Sequence, residues 1–122
     1  MIPVKQKSLH TTTTKGDCWR ACIASILEVD IDAFSDPNNF SDWEEYSLKI
    51  ITELEELGVE LTVYTIHGYK GNKTPVIAVG KSPRGDFDHG VVWLDGEGII
   101  FDPHPDNTGL ENIKFFEVLT KI

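Results

Sequence analysis

The chain has 122 residues, of which 40% are hydrophobic and 25% charged, and its 11 basic and 20 acidic side chains give a net charge of −9 at pH 7. This composition is typical of a single globular domain, here residues 1–122, and argues against nonspecific binding to nucleic acid or to an anionic membrane surface. No stretch reaches the roughly 18 apolar residues of a membrane span, and the N-terminus lacks the apolar segment of a signal peptide. We therefore expect a cytoplasmic protein, and the sequence leaves its oligomeric state open.

A buried helix is predicted from Cys18 to about residue 28. Gly16 permits a tight turn before it, and Asp17 is a good N-cap whose carboxylate can accept hydrogen bonds from the amides two and three residues on. The residues that follow are apolar on nearly every face, which indicates a helix buried all round. Cys22 lies one turn deeper than Cys18, and a disulfide between the two would be strained. We expect two free thiols, with Cys22 structural.

The rest of the chain predicts an α+β fold. A capping box with Ser41 as N-cap begins a second, amphipathic helix that runs to Leu57. Alternating or β-branched segments then predict an antiparallel sheet, after an edge strand at residues 2–9. The predicted strands of the sheet are residues 59–66, 75–80, 89–94, 99–102 and 113–119. We expect the buried N-terminal helix to pack on this sheet, with the second helix beside it.

The sequence Asp-Gly-Glu-Gly at residues 95–98 predicts a hairpin. Gly96 suits the first central position of a type II′ turn. The pairing that follows puts the side chains of His89, Asp102 and His104 on one face, with Asp102 on the diagonal from His89, roughly 7–8 Å away between α-carbons. A slip of one residue would separate them onto opposite faces.

These positions suggest a nucleophile and its base. A thiol in the first turn of a helix faces unpaired amides, which favour the thiolate and can hold a developing oxyanion. A cysteine in a buried helix is more often only a small hydrophobic residue. Because His89 and Asp102 supply a base and a carboxylate to orient it, we expect Cys18 to be a catalytic nucleophile.

The order Cys, His, Asp, with the thiol on a buried helix and the other two on the following sheet, resembles the papain-like cysteine peptidases. The chain looks most similar to compact single-domain proteins of bacterial and phage genomes, near the bacteriocin-processing peptidases. The resemblance implies a papain-like fold that cleaves or transfers an amide or thioester of a peptide, protein or small molecule through an acyl-enzyme, without metal or cofactor. It assigns the nucleophile to Cys18, the general base and acid to His89 and the orienting role to Asp102. The blocks that carry it are residues 16–22, 82–85, 89–92 and 101–105.

One position departs from the family pattern. Papain-like enzymes usually place a glutamine about six residues before the cysteine, where its side chain donates to the oxyanion, and here that position holds Thr12. Thr12, Thr13 or His10 would have to substitute, or backbone amides alone would form the oxyanion hole. Loss of one such donor typically costs about 10²–10³ in rate.

Four further residues are candidates for the oxyanion hole or for substrate binding. Asp17 and Trp19 flank the cysteine, and Trp19 is either a wall of the cleft or an ordinary core aromatic residue. Arg84 can bind a substrate carboxylate or phosphate, or lie in a solvated loop. His104 lies between two prolines and is expected to line the cleft.

Two other functions use the same residues. A papain-like scaffold of weak or no activity could bind a protein partner, for instance as a phage factor directed against a host protein. A metal-assisted hydrolase would instead use an oxygen- and imidazole-rich set, although its spacing matches no familiar zinc signature. That set is Asp86, Asp88, His89, Asp102, His104 and Asp106.

Overall fold

The computed structural model describes all 122 residues. It has two α-helices, α1 (Cys18–Leu27) and α2 (Trp43–Glu56), and two short 3-10 helices at Ile31–Ala33 and Pro37–Asn39. Its five strands form one antiparallel sheet in the order β1-β5-β2-β3-β4, so that β2 is central. The predicted α+β class is confirmed. The strands are β1 (Val59–Thr65), β2 (Val76–Lys81), β3 (Asp88–Leu94), β4 (Gly98–Phe101) and β5 (Phe115–Lys121).

Both helices lie on one face of the sheet. Helix α1 packs on β3 and β2, and α2 packs on β1. The core between the helices and the sheet includes Cys22 and Ile23 of α1, Ile50 of α2, and Ile77 and Val92 of the sheet, all fully buried. Helix α1 is therefore central, as its uniformly apolar sequence predicts. Neither helix is both long and apolar enough to cross a membrane.

The opposite face of the sheet has its own smaller core. Successive residues of a strand point to opposite faces, so Val76 and Ala78 of β2 lie on this side while Ile77 points to the helices. Phe116 of β5 joins them, and the Tyr69 ring stacks on it with 4.2 Å between centroids. The loops before β2 and β5 cover this face with Tyr69, Leu110 and Ile113.

The N-terminal segment is not the predicted edge strand. Residues 1–17 contain no helix or strand. The amide of Ile2 donates to Ser25 O of α1 at 3.0 Å, and the amide of Gln6 donates to Pro103 O at 3.1 Å. The backbone of this segment thus bridges α1 and the loop after β4, a long-range placement that the local β-propensity of residues 2–9 does not reveal.

The second helix begins one residue later than predicted. Asp42, not Ser41, is its N-cap, and the Asp42 carboxylate accepts a hydrogen bond from the amide of Glu45 at 2.8 Å. Both residues are good N-caps, and the register of the buried face decides between them. Gly58, at φ +73°, follows the helix as predicted.

The hairpin between β3 and β4 forms, with a different turn from the one predicted. Glu97 donates its amide to Leu94 O at 3.0 Å, so Asp95 and Gly96 are the central residues of the turn. Gly96 has φ +87° at the second central position, as a type II turn requires. A register shift between Val92 and Trp93 offsets the change of turn. Away from the turn, Val92 pairs with Phe101 as predicted, and His89 and Asp102 therefore remain within reach of each other.

Candidate active site

A cleft of about 710 Å³ opens where the start of α1 meets the sheet and the loops around it. Cys18, the first residue of α1, lines it and is partly exposed, whereas Cys22 is fully buried. His89 and His104 line the same cleft. Both cysteines are free thiols, as predicted. Burial raises the pKa of the Cys22 thiol well above its usual value, as does the nearby Cys18. Cys22 is therefore an inert core residue.

Asp17 occupies the N-cap position of α1, yet its carboxylate does not cap the helix. Its two oxygens accept hydrogen bonds from the amides of Lys7 at 3.2 Å and Ser8 at 2.9 Å. The Arg20 guanidinium donates to the same carboxylate at 2.9 Å, and both side chains are buried. The predicted capping bond is thus wrong. Asp17 instead ties the N-terminal loop to the first turn of α1.

The absence of a side-chain cap leaves the first amides of α1 without acceptors. The first backbone hydrogen bond of the helix runs from the amide of Ala21 to Asp17 O at 3.1 Å. The amides of Cys18 and Trp19 therefore have no partner in the chain, and they lie beside the thiol at the positive end of the helix. Such a pair of donors suits an oxyanion.

Strand β3 brings the histidine to this sulfur. The amide of Gly90 donates to Cys18 Sγ at 3.4 Å, so β3 touches the helix start at the residue directly after His89. A β-carbon at Gly90 would lie 3.9 Å from Cys22 Sγ, an ordinary contact distance. The contact between β3 and the start of α1 thus places His89 beside the residue that binds the Cys18 sulfur.

His89 binds the predicted carboxylate directly. Its Nε2 lies 2.7 Å from Asp102 Oδ1, and both residues are buried. Asp102 is itself held by two backbone donors, the amide of His104 to Oδ1 at 2.9 Å and the amide of Gly109 to Oδ2 at 2.9 Å. The loop after β4 thus holds the Asp102 carboxylate in place. The carboxylate determines the orientation of the His89 ring and which ring nitrogen carries the proton.

The charges of this pair favour a protonated imidazole. Burial lowers the pKa of His89, but the hydrogen bonds to Asp102 and to Cys18 outweigh it and raise the pKa to about 9. For Asp102, burial raises the pKa, while the hydrogen bonds from His89 and from two backbone amides lower it further than burial raises it. At neutral pH the arrangement therefore holds an imidazolium between a carboxylate and a sulfur.

The predicted oxyanion residue lies elsewhere. Thr12 is exposed in the loop before α1 and does not line the cleft. Gln6 lines the cleft in its place, together with His10. The Gln6 amide nitrogen donates to Ser8 O at 2.8 Å and keeps a second N–H, and it lies 3.5 Å from where a β-carbon at Gly16 would be. Gln6 lies twelve residues before the cysteine because the folded loop of residues 7–16 intervenes, so sequence spacing alone missed it.

The other predicted binding residues all line the cleft. Trp19 lines the cleft and also belongs to the hydrophobic core, and its indole N–H donates a hydrogen bond to the Glu117 carboxylate. His104 Nδ1 accepts from the amide of Asp106 at 3.0 Å, which puts the proton of a neutral ring on Nε2. Burial lowers the pKa of His104, as does the nearby charge of Arg84, so this histidine is neutral at pH 7. Arg84 is half-buried at the same end of the cleft.

Glu117 of β5 also lines the cleft, and the sequence did not single it out. The residue is 8% exposed, and its Oε1 accepts a hydrogen bond from the Trp19 indole nitrogen at 2.7 Å. Burial raises the pKa of the Glu117 carboxyl to about 7, although the bond from Trp19 lowers it. An acidic residue within the apolar strand Phe-Phe-Glu-Val-Leu was the available signal.

The proposed metal-binding set does not assemble. No group of three or more His, Cys, Asp or Glu side chains is placed to hold a metal ion. His89 and Asp102 are bound to each other, and Asp88 pairs with Lys114 at 2.7 Å. Asp106 is exposed, with its Oδ2 3.8 Å from His104 Nδ1. These carboxylates and imidazoles are thus engaged with other partners or lie apart from one another.

Comparison with known proteins adds no relative: no family model matches the chain, and no curated protein or solved structure is significantly similar to it.

Proposed function

We propose that the chain is a papain-like cysteine hydrolase that cleaves a peptide or other amide bond through an acyl-enzyme. The contact that carries the proposal is the 2.7 Å bond between His89 Nε2 and Asp102 Oδ1, next to a thiol that β3 touches at Gly90. The nucleophile and the base then line one cleft, and the orienting carboxylate is hydrogen-bonded to the base, each group being held by a different part of the chain. This is the arrangement that nucleophilic catalysis requires.

In the first half of the reaction, Cys18 Sγ attacks the carbonyl carbon of the substrate. Because Nε2 of His89 is engaged by Asp102, Nδ1 is the ring nitrogen that holds the proton from the thiol. That proton passes to the leaving nitrogen as the C–N bond breaks, which releases the amine and leaves a thioester on Cys18.

In the second half, His89 Nδ1 accepts a proton from water as the water oxygen attacks the thioester. The C–S bond breaks, the carboxylic acid leaves, and the proton on His89 again faces the thiolate. Asp102 stays ionised throughout and stabilises the imidazolium in each half. An amine in place of water would give acyl transfer by the same steps.

The oxyanion of each tetrahedral intermediate needs donors on the helix side of the cleft. The free amides of Cys18 and Trp19 are two, and the second N–H of Gln6 is the side-chain donor that we assign in place of Thr12. Gln6→Ala should then lower the rate by about 10²–10³ with little loss of stability. Thr12→Ala serves as the matched control and should leave the rate unchanged.

The first test is the pH dependence of iodoacetamide alkylation, followed at each cysteine by mass spectrometry. Cys18 should react fast well below pH 8, and more slowly in His89→Ala, while the buried Cys22 stays unmodified in the folded protein. A Cys18 that reacts like an ordinary thiol, or one that His89→Ala does not slow, contradicts the proposal. A positive result justifies a screen of fluorogenic peptide amides with Cys18→Ala as the blank.

A binding scaffold is the alternative, and one observation favours it. The position at which papain-like enzymes carry the oxyanion glutamine is an exposed threonine, Thr12, and the Gln6 amide that we assign instead already donates one of its N–H groups to Ser8 O. Capture of a protein partner that is equally strong in the wild type and in Cys18→Ala, without amide hydrolysis by either, would support this alternative.

A further inference from the structure

Glu117 is a buried carboxyl group without a counter-ion. It is more than nine-tenths buried, and no Lys, Arg or His side chain forms an ion pair with it. Its Oε1 is used by the Trp19 indole, whereas its Oε2 has no partner in the chain and is not sealed off from solvent. A buried anion of this kind is costly unless a positive charge joins it.

Glu117 lines the same cleft as Cys18. Trp19, which binds Glu117, directly follows Cys18 in α1, and all three residues line the cleft. On the sheet, Glu117 of β5 pairs with Ile77 of β2, in the row beside Val79 and Gly90, which also line the cleft. A substrate side chain that extends from the thiol toward Glu117 thus passes over Val79 and Gly90, which form the apolar floor of the cleft.

Aromatic rings form the wall above that floor. Trp19 and Trp43 lie 5.1 Å apart between centroids, and Trp43 and Tyr46 lie 5.5 Å apart. All three line the cleft, and Trp43 is 58% exposed although it is an aromatic residue on the inner side of α2. Aromatic faces next to a carboxylate attract an ammonium or guanidinium group, because the ring quadrupole adds to the ionic attraction.

We propose that this end of the cleft is a subsite for a basic side chain, with Glu117 Oε2 as its anchor and Trp43 and Trp19 as its walls. The inference rests on the proposed function, and it narrows the substrate class to amides that carry a lysine- or arginine-like group next to the bond cleaved. The apolar floor takes the methylene stem, and the carboxylate takes the charge. The net charge of −9 draws such cationic substrates toward the protein.

The binding test does not need catalysis. It uses Cys18→Ala, with the cleft intact and the thiol absent, and titrates Nα-acetyl-lysine methylamide against Nα-acetyl-norleucine methylamide, its uncharged counterpart. The Trp19 indole N–H, which donates to Glu117, is the NMR reporter. We expect the lysine compound to shift this signal and to bind at least about tenfold more tightly, which corresponds to about 1.4 kcal/mol.

Adding Glu117→Gln to Cys18→Ala should abolish the advantage of the lysine compound and leave norleucine binding unchanged. The matched control is Glu97→Gln, which removes one exposed carboxylate from the hairpin turn and should preserve the advantage. Equal binding of the two compounds, no binding of either, or a lysine advantage that survives Glu117→Gln overturns the subsite.

Hydrolysis separates this inference from the proposed function. With Cys18 present, a fluorogenic lysine amide should be cleaved with a kcat/KM at least about tenfold above that of the norleucine amide, and Glu117→Gln should equalise the two. If the lysine compound binds as expected and no amide is cleaved, the proposed hydrolase fails and the cationic subsite stands. Arginine and citrulline amides form a second pair that tells whether a guanidinium is also accepted.

Discussion

The carboxylate of Asp102 binds Nε2 of His89 at 2.7 Å, and this contact leaves Nδ1 as the ring nitrogen available to the thiol. The same carboxylate accepts two backbone N–H groups from the loop that follows β4. The geometry of the imidazole is therefore set by the loop after β4. Removal of Asp102 should change the chemistry of His89 before it changes the fold.

Asp102→Ala should lower the pKa of His89 from about 9 toward the usual 6.5, because it removes the strongest hydrogen bond to the imidazolium. Alkylation of Cys18 at pH 7 should slow by at least about tenfold as the imidazolium is lost. NMR titration of the imidazole measures the first effect and mass spectrometry the second. Asp106→Ala, at the exposed carboxylate near His104, is the control. A His89 pKa that is unchanged in Asp102→Ala would disprove the orienting role.

The raised pKa of His89 also predicts a pH-dependent stability. A histidine with a folded-state pKa of about 9 and an ordinary value of 6.5 adds its full stabilisation below pH 6.5 and loses it as the pH rises through 9. The wild type should therefore lose up to about 3 kcal/mol of unfolding free energy across this window. His89→Gln lacks this contribution and should decline less than the wild type, keeping only the part that comes from other groups such as Glu117. Urea unfolding at pH 6 and 9.5 measures the difference between the two proteins. Parallel curves for the two proteins would contradict the raised pKa.

The Asp17–Arg20 pair should matter more for folding than for chemistry. Both side chains are buried, and Asp17 also holds the amides of Lys7 and Ser8. Asp17→Ala should cost about 3–5 kcal/mol, because it leaves a buried guanidinium and two amides without their acceptor. The control is Asp32→Ala, which removes an exposed carboxylate that lies 4.0 Å from the same guanidinium and should cost less than about 1 kcal/mol. Similar losses in the two variants would show that burial of the pair is unimportant.

Two strand glycines give a steric prediction. A β-carbon at Gly80 would lie 1.7 Å from the carbonyl oxygen of Asn112, a backbone atom that cannot move aside alone. Gly80→Ala should therefore destabilise the protein by about 3 kcal/mol or more. At Gly90 the nearest atoms would be 3.6 and 3.9 Å away, an ordinary contact distance, so Gly90→Ala should retain most of the stability. Thermal unfolding compares them, and a well-folded Gly80→Ala would show that the loop before β5 can shift.

Much of the fold follows from local patterns. The apolar run after Asp17 marked α1, the amphipathic run before Gly58 marked α2, and period-two alternation placed the strands to within a few residues. The contact between His89 and Asp102 followed from hairpin arithmetic, although the turn differs from the predicted type and the register shift near its tip was not foreseen.

The errors fall where long-range contacts override local preference. Asp17 has the chemistry of an N-cap, yet its carboxylate accepts hydrogen bonds from the amides of Lys7 and Ser8 in the N-terminal segment and from Arg20. The family spacing points to Thr12, six residues before Cys18, whereas a folded loop brings Gln6 to the cleft from twelve residues before it. The position of Glu117 in the cleft is not predictable from its local sequence, because its hydrogen-bond partner Trp19 is 98 residues away.

Glu117 supplies the last prediction, because a buried carboxyl group should oppose folding at neutral and basic pH. The pKa of the Glu117 carboxyl group is about 7 in the folded protein, compared with 4.5 for an unperturbed glutamate. The contribution of Glu117 to stability should thus be full below pH 4.5 and fall by up to about 3 kcal/mol as the pH rises through 7. Glu117→Gln keeps an acceptor for the Trp19 indole and cannot ionise, so it should be the more stable protein at pH 8 and no more stable at pH 4. Urea midpoints at the two pH values measure this, with Glu97→Gln as the exposed control. A wild type as stable as Glu117→Gln at pH 8 would mean that the carboxylate already has a positive partner.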